Sequence, residues 1–135
     1  MEKSILVVLA IVLSTSLFSQ ENPREFEMTE GDTTYVMKQY MFCMYLSGAE
    51  RSQSDEEKEK IQSAHLAHLN MLAEEHNLFV AGPFGDDSDK RGVLLFDLET
   101  VEEAEDLVSQ DPAVQAKRLD FECHPVWLAK GTVLP

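Results

Sequence analysis

Hydrophobic positions change their spacing several times along the chain, and each change marks an element. Residues 5–13 (ILVVLAIVL) are continuously apolar behind Lys3. A spanning helix needs roughly 20 apolar residues, so this run has the length of a signal-peptide core instead. The small residues Ser14 and Ser16 suit cleavage after Ser16, and cleavage after Ser19 also fits the pattern. Residues 1–19 are therefore read as a signal peptide. Residues 20–34 are polar and acidic, interrupted by Pro23 and Gly31, and are read as a flexible acidic linker. Residues 35–46 (YVMKQYMFCMYL) are dense in aromatic, Val and Met residues without Gly or Pro, as in a mostly buried strand.

Ser54 followed three positions later by Glu57 forms a capping box and predicts a helix running to about Asn77. Two short apolar runs follow, residues 78–84 (LFVAGPF) and 92–98 (GVLLFDL), separated by an acidic loop; both read as strands. Thr100 with Glu103 repeats the box, and Val101, Ala104, Leu107 and Val108 recur at helical spacing as far as Ser109. Asp111-Pro112 opens a turn, and residues 119–128 alternate Leu119, Phe121 and Cys123 with Asp120, Glu122 and His124, as a half-buried strand does. The order strand, helix, strand, strand, helix, strand is that of an α+β, ferredoxin-like βαββαβ domain over residues 35–130, with a short tail at 131–135. Its four-stranded antiparallel sheet carries both helices on one face. Phe42, Tyr45, Phe96 and Trp127 then make the other face too apolar to stay wet, which points to a homodimer.

Charge narrows the partners. The 25 acidic and 11 basic residues give a net charge of -14, which repels nucleic-acid backbones and anionic lipid. The basic residues look scattered: Lys58 and Lys60 alternate with Glu57 and Glu59, the pattern of a solvated helix face. The sequence has no nucleophile elbow and no phosphate-binding loop.

Candidate chemistry concentrates on the first helix. Ile61, His65, Leu69, Leu72 and His76 fall on one stripe at 3.6-residue spacing, so His65 points inward. Inward histidines are commonly packed core residues; a neutral one is also suited to act as a general base. His65 and His68 could reach one ion, but His76 lies about 16 Å along the axis, and no further His or Cys completes a set; no metal and no cofactor are expected. Asp111 before Pro112 reads as a helix cap with proline at the first helical position, and a carboxylate so held stays ionised and could orient a histidine. Cys43 and Cys123 lie on neighbouring strands of this topology, either as a disulfide or as two buried thiols.

Three pieces in order, Ala64-His65-Leu66-Ala67-His68-Leu69, Ala81-Gly82-Pro83-Phe84 and Asp111-Pro112-Ala113, resemble the YCII-related (YciI-like) domain family over roughly residues 35–130. The resemblance implies dimeric α+β barrels of ferredoxin-like subunits. It places the family's characteristic histidine and aspartate on His65 and Asp111, as catalytic residues, with Gly82, Pro83 and His68 as substrate-binding residues. One branch of that family includes a dehydrochlorinase acting on a chlorinated hydroxyquinol, so the fold can support proton-transfer elimination. Lys117 stands where many relatives have glycine. The expectation is an exported (periplasmic or secreted) small-molecule enzyme, lyase or isomerase-like, homodimeric, with no nucleic-acid partner and no stable membrane insertion. A non-catalytic dimeric binding module is the alternative, and a ligand-free structural core a third.

Overall fold

The computed structural model describes residues 23–135; the expected signal peptide lies outside the described residues. The described chain runs β1 (Glu25–Glu30), β2 (Thr33–Ser47), α1 (Asp55–Glu75), β3 (Leu78–Pro83), β4 (Lys90–Phe96), α2 (Val101–Ser109), α3 (Pro112–Gln115) and β5 (Leu119–Ala129).

The helix starts follow local chemistry. At α1 the Ser54 hydroxyl accepts from the Glu57 amide at 3.2 Å while the Glu57 carboxylate accepts from the Ser54 amide at 2.8 Å, so two orphan donors are satisfied together. The helix ends beyond its cap residue His76 as Asn77 turns into the left-handed region at φ 54°. Thr100 caps α2 by accepting from the Glu103 amide, and Ala104, Leu107 and Val108 are its buried stripe.

All strand pairs are antiparallel. β2 is the central strand, flanked along one edge by β5 and along the other by β4, with β3 outside β4. Each helical connection skips one strand of the sheet: α1 carries the chain from β2 past β4 to β3, and α2 with α3 carry it from β4 past β2 to β5. This is the ferredoxin-like arrangement. The helices cover the face that carries Met41, Cys43, Tyr45, Leu94, Phe96 and Cys123, all buried, and Leu72 of α1 is fully enclosed against them.

Two expectations need correction. The sheet has five strands, because residues 25–30, expected within the flexible linker, pair with residues 33–38 of β2. Their alternation of Phe26 and Met28 with glutamates is a strand pattern, and Gly31 at φ 61° opens a two-residue turn of the kind that joins hairpins. Arg24 then secures the hairpin's base, donating to Asp97 at 2.6 Å and to the Gln39 carbonyl at 2.8 Å; Lys130 pairs with Glu25. Acidic composition concealed a strand whose partner lies in the same hairpin.

The second correction concerns which aromatics lie outside. Tyr45 and Phe96 sit under the helices, at 3% and 0% exposure, and Trp127 packs edge-on against Phe26 of β1. The face away from the helices carries Phe42, as expected, together with Tyr40 and Met44 of β2 and Leu95 of β4, with Phe79 edge-on to Tyr40. It stays apolar, and among the described residues no helix covers it.

Of the two states open to the cysteines, the structure has the bonded one: Cys43 and Cys123, directly opposite in the β2–β5 register, form a disulfide. It closes a separation of 80 residues. Loop-closure entropy for a cross-link of that length contributes about 4.5 kcal/mol against the unfolded chain.

Candidate active site

The site is built around a carboxylate that the sheet and two helices enclose. Asp111 is fully buried and caps α3, its Oδ1 accepting from the Ala113 amide at 2.8 Å with Pro112 at the first helical position. Its other oxygen, Oδ2, receives two hydrogen bonds: from the Tyr45 hydroxyl of β2 at 2.5 Å and from Nδ1 of His65 of α1 at 2.7 Å. The Tyr45 and His65 rings meet edge to face, with centroids 5.4 Å apart.

Electrostatics assign the protons. Burial raises the Asp111 pKa, but the hydrogen bonds from His65, Tyr45 and the Ala113 amide outweigh it, and the carboxyl is held below its ordinary value. Tyr45 moves the other way: burial first, then the charge of Asp111 and its hydrogen bond, push the phenol far up, so it is a permanent neutral donor. An ionised carboxylate only accepts, so Nδ1 of His65 must carry a proton. In the neutral ring this leaves Nε2 with its lone pair free. Asp111 and Tyr45 thus set both the tautomer and the orientation of the imidazole.

His65 and Tyr45 line a cavity of about 410 Å³ between α1 and strands β3 and β4. Ile61, Leu66, Leu69, Leu94 and Leu119 supply apolar walls, and Gly82 and Pro83 lie on its β3 side. His68 is not part of this lining: its Nε2 meets the Leu107 carbonyl at 3.0 Å, tying α1 to α2. The structure therefore places His65, Gly82 and Pro83 at one cavity, with Asp111 buried behind His65, and directs His68 elsewhere. Among the described residues no cluster of three or more His, Cys, Asp or Glu side chains could hold a metal ion.

Two features escaped the sequence reading. Tyr45 is under the helices and not on the uncovered face: strand alternation puts it with Cys43 and opposite to Phe42, so the two cannot share a face. Arg51, Arg91 and Arg118 looked scattered, yet all three line the cavity. Lys117, at the position where the resemblance raises a glycine, adopts φ 54°. This left-handed residue directs the chain from α3 into β5, and its carbonyl accepts from the Glu50 amide at 2.9 Å. Gly48 makes that approach possible: a Cβ there would stand 2.1 Å from the Lys117 carbonyl oxygen.

Fold and site together define a ferredoxin-like α+β protein with a His–Asp–Tyr cluster at the wall of an open cavity. The chain belongs to the YCII-related domain family, which matches residues 39–126. Among solved structures it is similar to muconolactone isomerase, at 11% identity and TM-score 0.53 over 71% of this chain and 96% of that one. It is also similar to 5-chloro-2-hydroxyhydroquinone dehydrochlorinase from Burkholderia phenoliruptrix AC1100, solved with 2,5-dihydroxybenzoquinone, at 24% identity and TM-score 0.46 over 62% of this chain and 90% of that one. These likenesses concern the fold. No curated protein matches the chain.

Proposed function

We propose that the protein is a small-molecule proton-transfer enzyme, lyase or isomerase-like, with His65 as general base and Asp111 and Tyr45 as its positioning residues. The observation that carries this reading is the buried, ionised Asp111 fixing Nδ1 of a cavity-lining histidine. Nε2 can then take a proton from a C–H or O–H group of a ligand in the cavity, and the Asp111 charge stabilises the imidazolium that forms. The electron pair left on a carbon next to a carbonyl moves onto its oxygen. Return of the proton to another carbon gives isomerisation; departure of a leaving group gives elimination.

The test is exchange in heavy water. A panel of small phenolic and carbonyl compounds is incubated with the mature protein, and loss of C–H proton signals is followed by NMR. Catalysed exchange with at least one compound is expected, falling roughly 100-fold or more in His65→Gln. Compounds that bind without exchanging would instead favour a non-catalytic binding module, the reading that the same cavity also supports.

We further propose a homodimer joined through the uncovered sheet face, on the strength of Tyr40, Phe42, Met44 and Leu95 lying together there, and export to an oxidising compartment. The leader at residues 1–19 and the Cys43–Cys123 bond both support export. A mature amino terminus between Leu17 and Gln20, read by mass spectrometry of the native protein, is the expected result; an intact Met1 would overturn it.

A further inference from the structure

Of the chain's four arginines, three line the same cavity as His65, although the protein carries a net charge of -14. Arg51 comes from the β2–α1 loop, Arg118 from the turn before β5, and Arg91 from β4. Arg91 occupies a β-bulge: Tyr45 pairs with Gly92 and Leu46 with Lys90, so Arg91 has no partner across β2. Bulges re-aim side chains, and this one leaves Arg91 at the cavity wall.

The three guanidinium groups are held in place by neutral acceptors. Arg51 donates to the Arg118 carbonyl at 2.8 Å, Arg118 to the Gln53 side-chain oxygen at 3.0 Å, and Arg91 to the Ser88 carbonyl at 3.2 Å. Among the described residues, none of the three forms an ion pair with a carboxylate, whereas Arg24 and four lysines do. Each retains unused donors, since a guanidinium has five. Their mutual repulsion is felt: burial, then the charges of Arg118 and Arg91, lower the Arg51 pKa. Gathering like charges without a counter-ion costs energy unless something of opposite charge occupies the space between them.

We propose that Arg51, Arg91 and Arg118 form a seat for the carboxylate of a small organic anion whose apolar skeleton lies on Leu66, Leu69 and Leu94 with its reacting atom at His65. The planar forks suit a two-oxygen acceptor, and the apolar walls suit the carbon frame behind it. This names the substrate class of the proton-transfer site and rests on that reading, but the binding it requires can be measured without turnover.

The probes are benzoate, benzamide and phenyl phosphate, titrated into the mature dithiol-oxidised protein and followed by amide chemical shifts. Benzoate and benzamide have nearly the same shape and differ in charge. Benzoate is expected to bind at least about tenfold more tightly than benzamide, since hydrogen bonds to charged groups are the stronger kind. Arg91→Gln and Arg118→Gln should each reduce that preference several-fold, with thermal melts confirming an intact fold; Arg91→Lys should retain part of it. Equal binding of benzoate and benzamide, or a preference unchanged in both glutamine variants, overturns the seat. Tighter binding of phenyl phosphate than of benzoate overturns the assignment to carboxylates. Failure of proton exchange with benzoate still bound rejects the enzyme reading and leaves the seat standing; exchange without an anion preference does the reverse.

Discussion

Replacing Tyr45 by phenylalanine removes one hydroxyl, yet it takes a donor from a carboxylate that stays buried. The loss should be about 1–3 kcal/mol in urea unfolding, the usual cost of depriving a buried charged group of a partner. Asp111→Asn keeps the shape and removes the charge. Paired with His65→Ala in a double-mutant cycle, its effect on ligand exchange should be non-additive by roughly 0.5–3 kcal/mol, because the two side chains touch. Simple additivity would mean that histidine and aspartate do not act as a unit.

The same residues set a pH window. The Asp111 pKa is lower folded than unfolded, so its contribution is complete above the ordinary aspartate value of about 3.9 and disappears as pH falls through the folded value. Tyr45 has its folded pKa raised, so its contribution is complete below the ordinary tyrosine value of about 10 and declines as pH rises above it. Unfolding measured across pH should therefore show a weaker acid limb in Asp111→Asn and a weaker alkaline limb in Tyr45→Phe than in the wild type.

At the scale of elements, the turn between α3 and β5 holds a long side chain in the left-handed region. A lysine at φ 54° is disfavoured by about 1 kcal/mol or more relative to glycine, so Lys117→Gly should raise stability by up to about 1 kcal/mol, read from the denaturant midpoint. Gly48→Ala should do the opposite. A Cβ so close to a backbone oxygen cannot be absorbed by side-chain rotation, and a loss of about 2–4 kcal/mol is expected, with hydrogen exchange accelerated at the Glu50 amide. The β1 hairpin depends on its base: Arg24 and Lys38 both close on Asp97, at 2.6 Å each. Asp97→Asn should speed amide exchange in residues 25–30 while β2–β5 pairing stays protected, since only the hairpin relies on that pair of bonds.

For the whole molecule, the cross-strand disulfide and the uncovered sheet face matter most. Reduction, or Cys43→Ala with Cys123→Ala, should lower stability by about 4 kcal/mol, because the unfolded chain regains the freedom of a long loop. Light scattering of the mature protein should give twice the monomer mass, and Phe42→Lys, on the uncovered face, should shift it to monomer with the His65–Asp111 site intact. A wild-type monomer at micromolar concentration would leave that apolar face unexplained.

The sequence by itself determined whatever depends on neighbours within a few residues. Ser54, Thr100 and Asp111 announce helix starts because their side chains bond amides only two or three positions on. The order of strands and helices follows from apolar spacing, and with it the ferredoxin-like topology. Gly31 and the alternation of Phe26 and Met28 with glutamates are equally local, but the acidic composition of residues 20–34 masks them as a linker. Which face of β2 goes under the helices was a different matter. Its two sets, Tyr40, Phe42 and Met44 against Met41, Cys43 and Tyr45, are both apolar, so alternation defines the sets and leaves the choice to packing with α1 and α2. That choice decided that Tyr45 reaches Asp111 across 66 residues and that His65 joins it across 46. Tertiary structure alone also brought Arg51, Arg91 and Arg118 to one cavity, because a loop, a bulge and a left-handed turn converge there only after the sheet has closed under α1.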